Sequence, residues 1–128
     1  MKKILVITMA LMLVVGSLAG CAGGEQSGDD TYEIALITDK GNIDDRSFNQ
    51  GAWEGVVEFA EANDISHTYI KPEEASDAGY LAAIDLAVQG GAKLVVTPGY
   101  LFEVPVYEAQ TKYPDVKFIL LDLSLIHI

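Results

Sequence analysis

Three side chains of complementary chemistry lie within one short segment of the chain. Asp39 offers a carboxylate acceptor, Asn49 offers a carboxamide that donates and accepts, and Phe48 offers an aromatic face for stacking. A planar heterocycle with donor and acceptor groups on its edge suits this set better than a sugar or an amino acid alone. The segment therefore predicts a binding site for a small planar solute.

The same segment also has structural interpretations. Phe48 stands at helical spacing with Ala52 and Val56, a pattern typical of core side chains. Asp44 and Asp45 precede the helix that this spacing predicts, and carboxylates there commonly cap the helix or complement its dipole. The pattern alone leaves both interpretations of Phe48 open.

A metal-dependent enzyme is a further alternative, because Asp39, Asp44 and Asp45 could form a carboxylate cluster for Mg²⁺ or phosphoryl chemistry. Against it, the sequence shows no nucleophile–base pair and no His/Cys/Asp cluster at metal-ligand spacing. A Gly-rich phosphate loop is also missing from the sequence. We therefore predict binding without catalytic residues, and neither a metal nor a cofactor.

The elements that must position these side chains alternate regularly. In chain order they are strand 33–38, helix 47–63, strand 67–70, helix 76–90, strand 92–97, helix 105–113 and strand 116–121. Such alternation predicts an α/β fold with a parallel sheet and helices on both faces. A capping box of Ser47 and Gln50 is expected to start the first helix, and Gly90-Gly91 to end the second.

Ligands in such sheets bind beyond the carboxyl ends of the strands, where the strand order reverses. Three segments leave carboxyl ends here: residues 39–46, residues 98–102 and the chain after Asp122. The first carries the candidate site residues. The second contains Tyr100 and Phe102.

The N-terminus has the pattern of a bacterial lipoprotein signal. Lys2 and Lys3 precede an apolar stretch, residues 4–15, that is too short for a comfortable membrane span of about 20 residues. The following Leu18-Ala-Gly-Cys21 resembles a lipobox, in which the cysteine is lipidated and becomes the new N-terminus. We predict a signal peptide over 1–21, a flexible tether over 22–31, and a lipid-anchored protein on the extracytoplasmic face of the cell membrane.

The charge of the chain excludes one class of partner. The sequence contains nineteen acidic and eight basic residues, which give the 128-residue chain a formal net charge of −11. Nucleic-acid binding requires a basic footprint, which this sequence does not have. We predict no nucleic-acid partner.

The chain resembles the basic membrane lipoprotein family, which includes the purine nucleoside receptor lipoproteins. The resemblance rests on Ile37-Thr-Asp39, Gly41-Asn-Ile-Asp-Asp-Arg-Ser-Phe-Asn-Gln50, Ala52-Trp-Glu-Gly55 and Tyr113-Pro-Asp-Val-Lys-Phe-Ile119. It spans about Glu33 to Asp122. It implies a substrate-binding lipoprotein of an ABC transporter, partnered by permease and ATPase subunits, with a type I periplasmic-binding-protein fold whose two lobes close over a nucleoside.

The resemblance also implies roles for individual residues. Phe48 would be one of two aromatics that sandwich the base, Asp39 and Asn49 would read its edge, and Asp122 would bind the ribose hydroxyls. An ionised carboxylate can accept from two vicinal hydroxyls at once, which is compatible with that last role. A binding lipoprotein of the same fold for a sugar or a signalling molecule remains the alternative.

The C-terminal end departs from the family pattern. Residues 123–128 are apolar, contain no turn residue and cap nothing. We therefore expect residues 32–122 to be a partial N-terminal lobe and the protein to be truncated. One interpretation of the doubtful segment 123–128 is foreign sequence from a misassembled gene fragment.

Overall fold

The computed structural model describes residues 31–121. Four strands alternate with three helices: β1 (Ile34–Ile37), α1 (Phe48–Ala62), β2 (His67–Ile70), α2 (Asp77–Gln89), β3 (Leu94–Pro98), α3 (Glu103–Lys112) and β4 (Lys117–Leu121). A single 3-10 turn, Tyr100–Phe102, leads directly into α3. This order confirms the α/β fold expected from the alternating pattern.

The strands form one parallel sheet in the order β2-β1-β3-β4. From β1 the chain moves outward to β2, and it then crosses back over β1 to reach β3. The strand order therefore reverses between β1 and β3, which pair from Ile34 with Leu94 to Leu36 with Val96. Every residue of β1 is buried, as expected of a central strand covered on both faces.

Helices α2 and α3 cover one face of the sheet. Side chains from β1 and β3 on this face include Ala35, Ile37 and Val95, all fully buried. The two helices and the 3-10 turn add an apolar layer against them: Tyr80, Ala83, Ile84, Ala87, Phe102, Val106 and Ala109. Because successive residues of a strand point to opposite faces, the other half of β1 serves the opposite side.

Helix α1 is the one helix that covers the opposite face among residues 31–121. Its buried layer is smaller: Ile34, Leu36, Val56, Ala60 and Val96. Trp53 lies at the margin of this layer and contacts the rings of His67 and Tyr69, with centroids 5.5 and 5.3 Å away. Phe59 has the apolar spacing of a core residue, yet 54% of its surface is exposed.

The helix ends test the capping predictions. Ser76 caps α2 as expected, since its Oγ accepts a hydrogen bond from the Gly79 amide at 3.1 Å. Gly90 follows the last residue of α2, and Gly91 adopts φ 101°, a left-handed conformation that suits glycine. The Ser47 and Gln50 capping box was wrong, because the Ser47 side chain makes no capping hydrogen bond.

Several predictions fall on residues outside the described range 31–121. They are the signal peptide, the lipidation of Cys21, the tether up to residue 30, the role of Asp122 and the doubtful segment 123–128. Within the described range, no helix is long and apolar enough to span a membrane.

Candidate ligand-binding site

The candidate site lies at the carboxyl ends of β1 and β3, where the strand order reverses. Asp39 follows β1 by two residues, and Gly99 directly follows β3. The Gly99 amide donates to the Leu121 carbonyl at 2.9 Å, so the end of β4 is tied to the same place. A parallel sheet brings these strand ends to one edge, which explains why residues far apart in sequence meet here.

Asn49 connects the end of β1 to the first turn of α1. Its Oδ1 accepts from the Asp39 amide at 3.2 Å, and its Nδ2 donates to Asp39 Oδ1 at 2.7 Å. The same Nδ2 donates to Asp45 Oδ2 at 2.9 Å. Asn49 is only 2% exposed, and both of its amide hydrogens are used within the protein. Asn49 therefore holds Asp39 in place in this structure, and its Oδ1 retains one acceptor position.

Asp45 is the residue that caps α1. Its carboxylate accepts from the backbone amides of Ser47 at 2.8 Å, Gln50 at 3.2 Å and Asn49 at 3.3 Å. Gln50 instead accepts from the Arg46 amide at 3.0 Å. Burial tends to raise the pKa of Asp45, but these amide donors and the Asn49 side chain outweigh it and lower the pKa below its ordinary value. The ionised Asp45 carboxylate therefore stabilises the N-terminal end of α1.

Gly41 lets the loop close tightly over this hydrogen-bonded group. Its amide donates to Asp39 Oδ1 at 2.8 Å. A Cβ at this position would lie 2.5 Å from Asn49 Nδ2 and 3.0 Å from Asp45 Oδ2. Both partners are fixed by hydrogen bonds, so even alanine would displace the network that positions Asp39.

Asp39 presents its second oxygen away from the network. Its Oδ1 already accepts from Gly41 and Asn49, and no residue of the described part donates to Oδ2. That Oδ2 lies 3.5 Å from the position a Cβ of Gly99 would take, so it points toward the end of β3. Asp39 is half-buried. It can therefore accept a hydrogen bond from a ligand without losing the contacts that hold it.

Phe48 is accessible at the start of α1. Its side chain is 43% exposed, whereas the neighbouring Asn49 is buried. The core interpretation of Phe48 is therefore wrong, and the apolar layer of this helix is formed by Val56 and Ala60 instead. Phe48 precedes Asn49, which is hydrogen-bonded to Asp39. An exposed aromatic ring can stack on a planar ligand whose edge donates to a carboxylate. Tyr100, 65% exposed after Gly99, lies on the neighbouring loop.

Two buried hydroxyls at this edge escaped the sequence analysis. Thr38 Oγ1, at the end of β1, and Tyr80 Oη, in the first turn of α2, have no hydrogen-bond partner among the described residues. A polar residue in an apolar run usually indicates an exposed position, so the burial of these two hydroxyls was not expected. The only available indication was that both residues stand at the ends of their elements. Most buried polar groups are paired, so each of these two requires an explanation.

A separate open recess of about 510 Å³ lies between the end of β2 and α2. Its walls include Ile70, Ala78, Ala82 and Leu86, and its polar residues, such as Glu74, are exposed. No buried polar side chain faces this recess in the described part. The chemistry therefore favours the edge at Asp39 over this recess.

Comparison with known proteins agrees with the fold. A family described as ABC transporter substrate-binding protein, PnrA-like, matches residues 33–124. A CD4+ T-cell-stimulating antigen from Listeria innocua is 31% identical over 132 residues, covering 94% of this chain and 37% of that protein. The chain thus spans little more than a third of this relative's length.

Two further relatives carry functional names. The ABC transporter nucleoside-binding protein BmpA of Lactococcus lactis is 29% identical, with 94% of this chain and 36% of that protein covered. The crystal structure of ABC transporter system solute-binding proteins from Aeropyrum pernix superposes with a TM-score of 0.64 at 28% identity, over 73% of this chain and 25% of that one. With the family match covering most of its length, the chain belongs to the PnrA-like family of ABC transporter substrate-binding proteins.

Proposed function

We propose that this chain is the N-terminal lobe of a lipid-anchored, extracytoplasmic binding protein that captures purine nucleosides for an ABC importer. The observation that carries the proposal is the pairing of an exposed Phe48 ring with the unfilled Oδ2 of Asp39. Asn49 is hydrogen-bonded to Asp39 and follows Phe48 in the chain, at the point where the sheet order reverses. The protein binds and releases its solute without transforming it.

The chemistry of a nucleobase matches this pair. A flat base stacks on an aromatic ring, and every nucleobase has such a face. The N–H groups on a purine edge donate to a carboxylate, and a charged acceptor makes these bonds short and strong. A sugar lacks a flat π face, so Phe48 would contribute less to its binding. The nucleoside-binding name of the Lactococcus lactis relative supports the same ligand class.

The remaining ligand contacts follow from the family resemblance. Asn49 would act mainly by fixing Asp39, with the one acceptor position of its Oδ1 left for the base. Asp122 directly follows β4 in the sequence and would accept from the ribose hydroxyls. A second lobe, carried by the rest of the full-length protein, would supply the opposite aromatic face and contact the permease.

Calorimetric titration of the full-length gene product with adenosine, guanosine, inosine and adenine tests the ligand class. Phe48→Ala removes a stacking face worth about 1–3 kcal/mol, so the affinity should fall by roughly one to two orders of magnitude. Phe59→Ala is the matched control, because Phe59 is similarly exposed on the same helix but lies near its other end. The control should bind as the parent does.

Two carboxylate variants assign the contacts further. Asp39→Ala should cost about 1–3 kcal/mol for all four ligands, because the base loses its acceptor. Asp122→Ala should weaken the three nucleosides and leave adenine unchanged, because only the sugar loses a partner. A parent that binds sugars but no nucleoside would refute the ligand class, and a parent that converts a nucleoside would identify an enzyme.

The membrane anchor has its own test. Cys21→Ser removes the sulfur that would carry the lipid. Labelling of growing cells with a fatty-acid analogue should mark the parent and leave the variant unmarked. Equal labelling of both proteins would contradict the lipobox.

A further inference from the structure

The hydroxyl of Tyr80 is buried without a partner next to the candidate site. Tyr80 is 1% exposed, and its ring packs on Phe102 with the centroids 4.5 Å apart. No described residue exchanges a hydrogen bond with its Oη. Phenylalanine would provide the same packing without burying an unpaired hydroxyl, which costs free energy. The hydroxyl therefore calls for a role beyond the core.

The surroundings of Tyr80 indicate what that role is. Burial raises the pKa of Tyr80, and the charges of Asp39 and Asp77 and the nearby Tyr100 raise it further. The hydroxyl thus remains protonated and available as a donor at neutral pH. Tyr80 stands in the first turn of α2, at the carboxyl edge of the sheet, and its ring packs on Phe102 in the turn that follows Gly99. Asp39 Oδ2 lies 3.5 Å from the position a Cβ of that Gly99 would take, and it accepts from no described residue.

We propose that Tyr80 is a positioning residue for Asp39, and that its hydroxyl donates to Asp39 Oδ2 when the site holds its ligand. Each carboxylate oxygen can accept two hydrogen bonds. Oδ1 is filled by Gly41 and Asn49, so Tyr80 would take one position on Oδ2 and leave the other for the ligand. Tyr80 thereby fixes the direction in which the carboxylate meets the ligand.

This role rests on the proposed function, because it acts through the ligand-binding carboxylate. It also explains why tyrosine stands at a position where the apolar neighbours would accept phenylalanine. The ring fills the layer between α2 and the turn before α3, and the hydroxyl is buried in the first turn of α2. Packing and binding are then two separable properties of one side chain.

The experiment is a double-mutant cycle in the full-length gene product, titrated with inosine and with adenosine. Tyr80→Phe should weaken the affinity about fivefold to tenfold, in line with the loss of one hydrogen bond to a charged group. In an Asp39→Asn background the same change should weaken it less than twofold, because the carboxylate partner is gone. Tyr107→Phe, 70% exposed on α3, is the control and should have no effect.

Thermal melting without ligand separates this role from a structural one. Tyr80→Phe should melt at the parent's temperature or above it, since the change removes an unpaired buried hydroxyl. An unchanged affinity would overturn the inference while leaving the proposed function intact. An equal loss in both backgrounds would show that Tyr80 acts independently of Asp39. A parent that binds neither nucleoside would overturn the proposed function and this inference together.

Discussion

The two faces of the sheet are held by different forces. The face under α2 and α3 has an apolar layer in which Tyr80, Phe102 and Ile84 are almost fully excluded from water. The face under α1 has a smaller layer, and three large side chains on or beside it, Phe48, Phe59 and Ile119, remain more than two-fifths exposed. The first face depends on hydrophobic burial, and the second depends much more on hydrogen bonds at its end.

The hydrogen-bonded group on the α1 side is also the candidate site. Asp39, Asp45 and Asn49 join the end of β1 to the start of α1, and Phe48 is carried on that helix start. A ligand that contacts Asp39 and Phe48 would therefore bind at the start of α1, the helix that covers the smaller buried apolar layer. We call the face under α2 and α3 the thick face and the face under α1 the thin face. The comparison teaches that the thick face supplies most of the apolar burial, whereas the thin face carries the proposed binding contacts.

The largest expected effect is on the thick face. Phe102→Ala should destabilise the protein by about 3–5 kcal/mol, because it removes a fully buried ring and leaves a cavity beside Tyr80. Equilibrium denaturation followed by circular dichroism measures the loss. Phe59→Ala, on the thin face, should change stability by at most about 0.5 kcal/mol. Similar losses for the two phenylalanines would break the comparison.

A smaller effect is expected from the polar group that holds α1. Asn49→Ala should cost about 2–3 kcal/mol, because it leaves the Asp39 amide and two carboxylates without their buried partner. Asn63→Ala is the matched control at the other end of the same helix, where its Nδ2 donates to the exposed Phe59 carbonyl. The control should cost less than about 1 kcal/mol. Equal costs at both ends would show that the network adds nothing specific.

The smallest effect is a difference in acid sensitivity between the faces. The pKa of Asp45 is lowered as described above, and that of Asp85, which links α2 to α3, is lowered because hydrogen bonds from Lys112 and Tyr113 outweigh its burial. A folded pKa below the unfolded value of about 4 means that ionised aspartate stabilises the fold above that pH. This stabilisation is lost as the pH falls through the folded pKa.

Denaturation between pH 7 and pH 3 compares the two aspartates. Asp45→Asn should flatten the fall in stability below pH 4 and reduce nucleoside affinity, because Asp45 also holds Asn49. Asp85→Asn should flatten the same fall without changing affinity, since Asp85 lies between helices on the thick face. A loss of affinity in Asp85→Asn would show that the faces are coupled.

Much of this fold follows from the order of apolar runs. β2 has the predicted limits, and the other strands and the helices differ by a few residues at their ends. The 3-10 turn at Tyr100 was predicted as a loop, since the left-handed Gly99 that precedes it gives no periodic signal. Short-range patterns therefore establish the elements and their order.

The start of α1 shows why the details of the site were harder to predict. Asp44, Asp45 and Ser47 are all acceptable caps by residue type. Which of them caps α1 depends on Arg46, which adopts φ 53° and turns the chain so that the Asp45 carboxylate accepts from three backbone amides. A left-handed arginine has no local sequence signal, because the conformation is maintained by contacts that form only in the folded loop.

Because the four strands run in the same direction, the sheet has one edge where the strands begin and one edge where they end. β1 begins at Ile34, three residues after Thr31, and its four residues end at the binding edge with Ile37. The chain therefore enters at the edge remote from Asp39. A lipid at Cys21 would hold the domain from behind through ten residues, which reach at most about 35 Å. Where Cys21 carries a lipid as proposed, the point of attachment and the mouth of the site lie at opposite edges of the sheet.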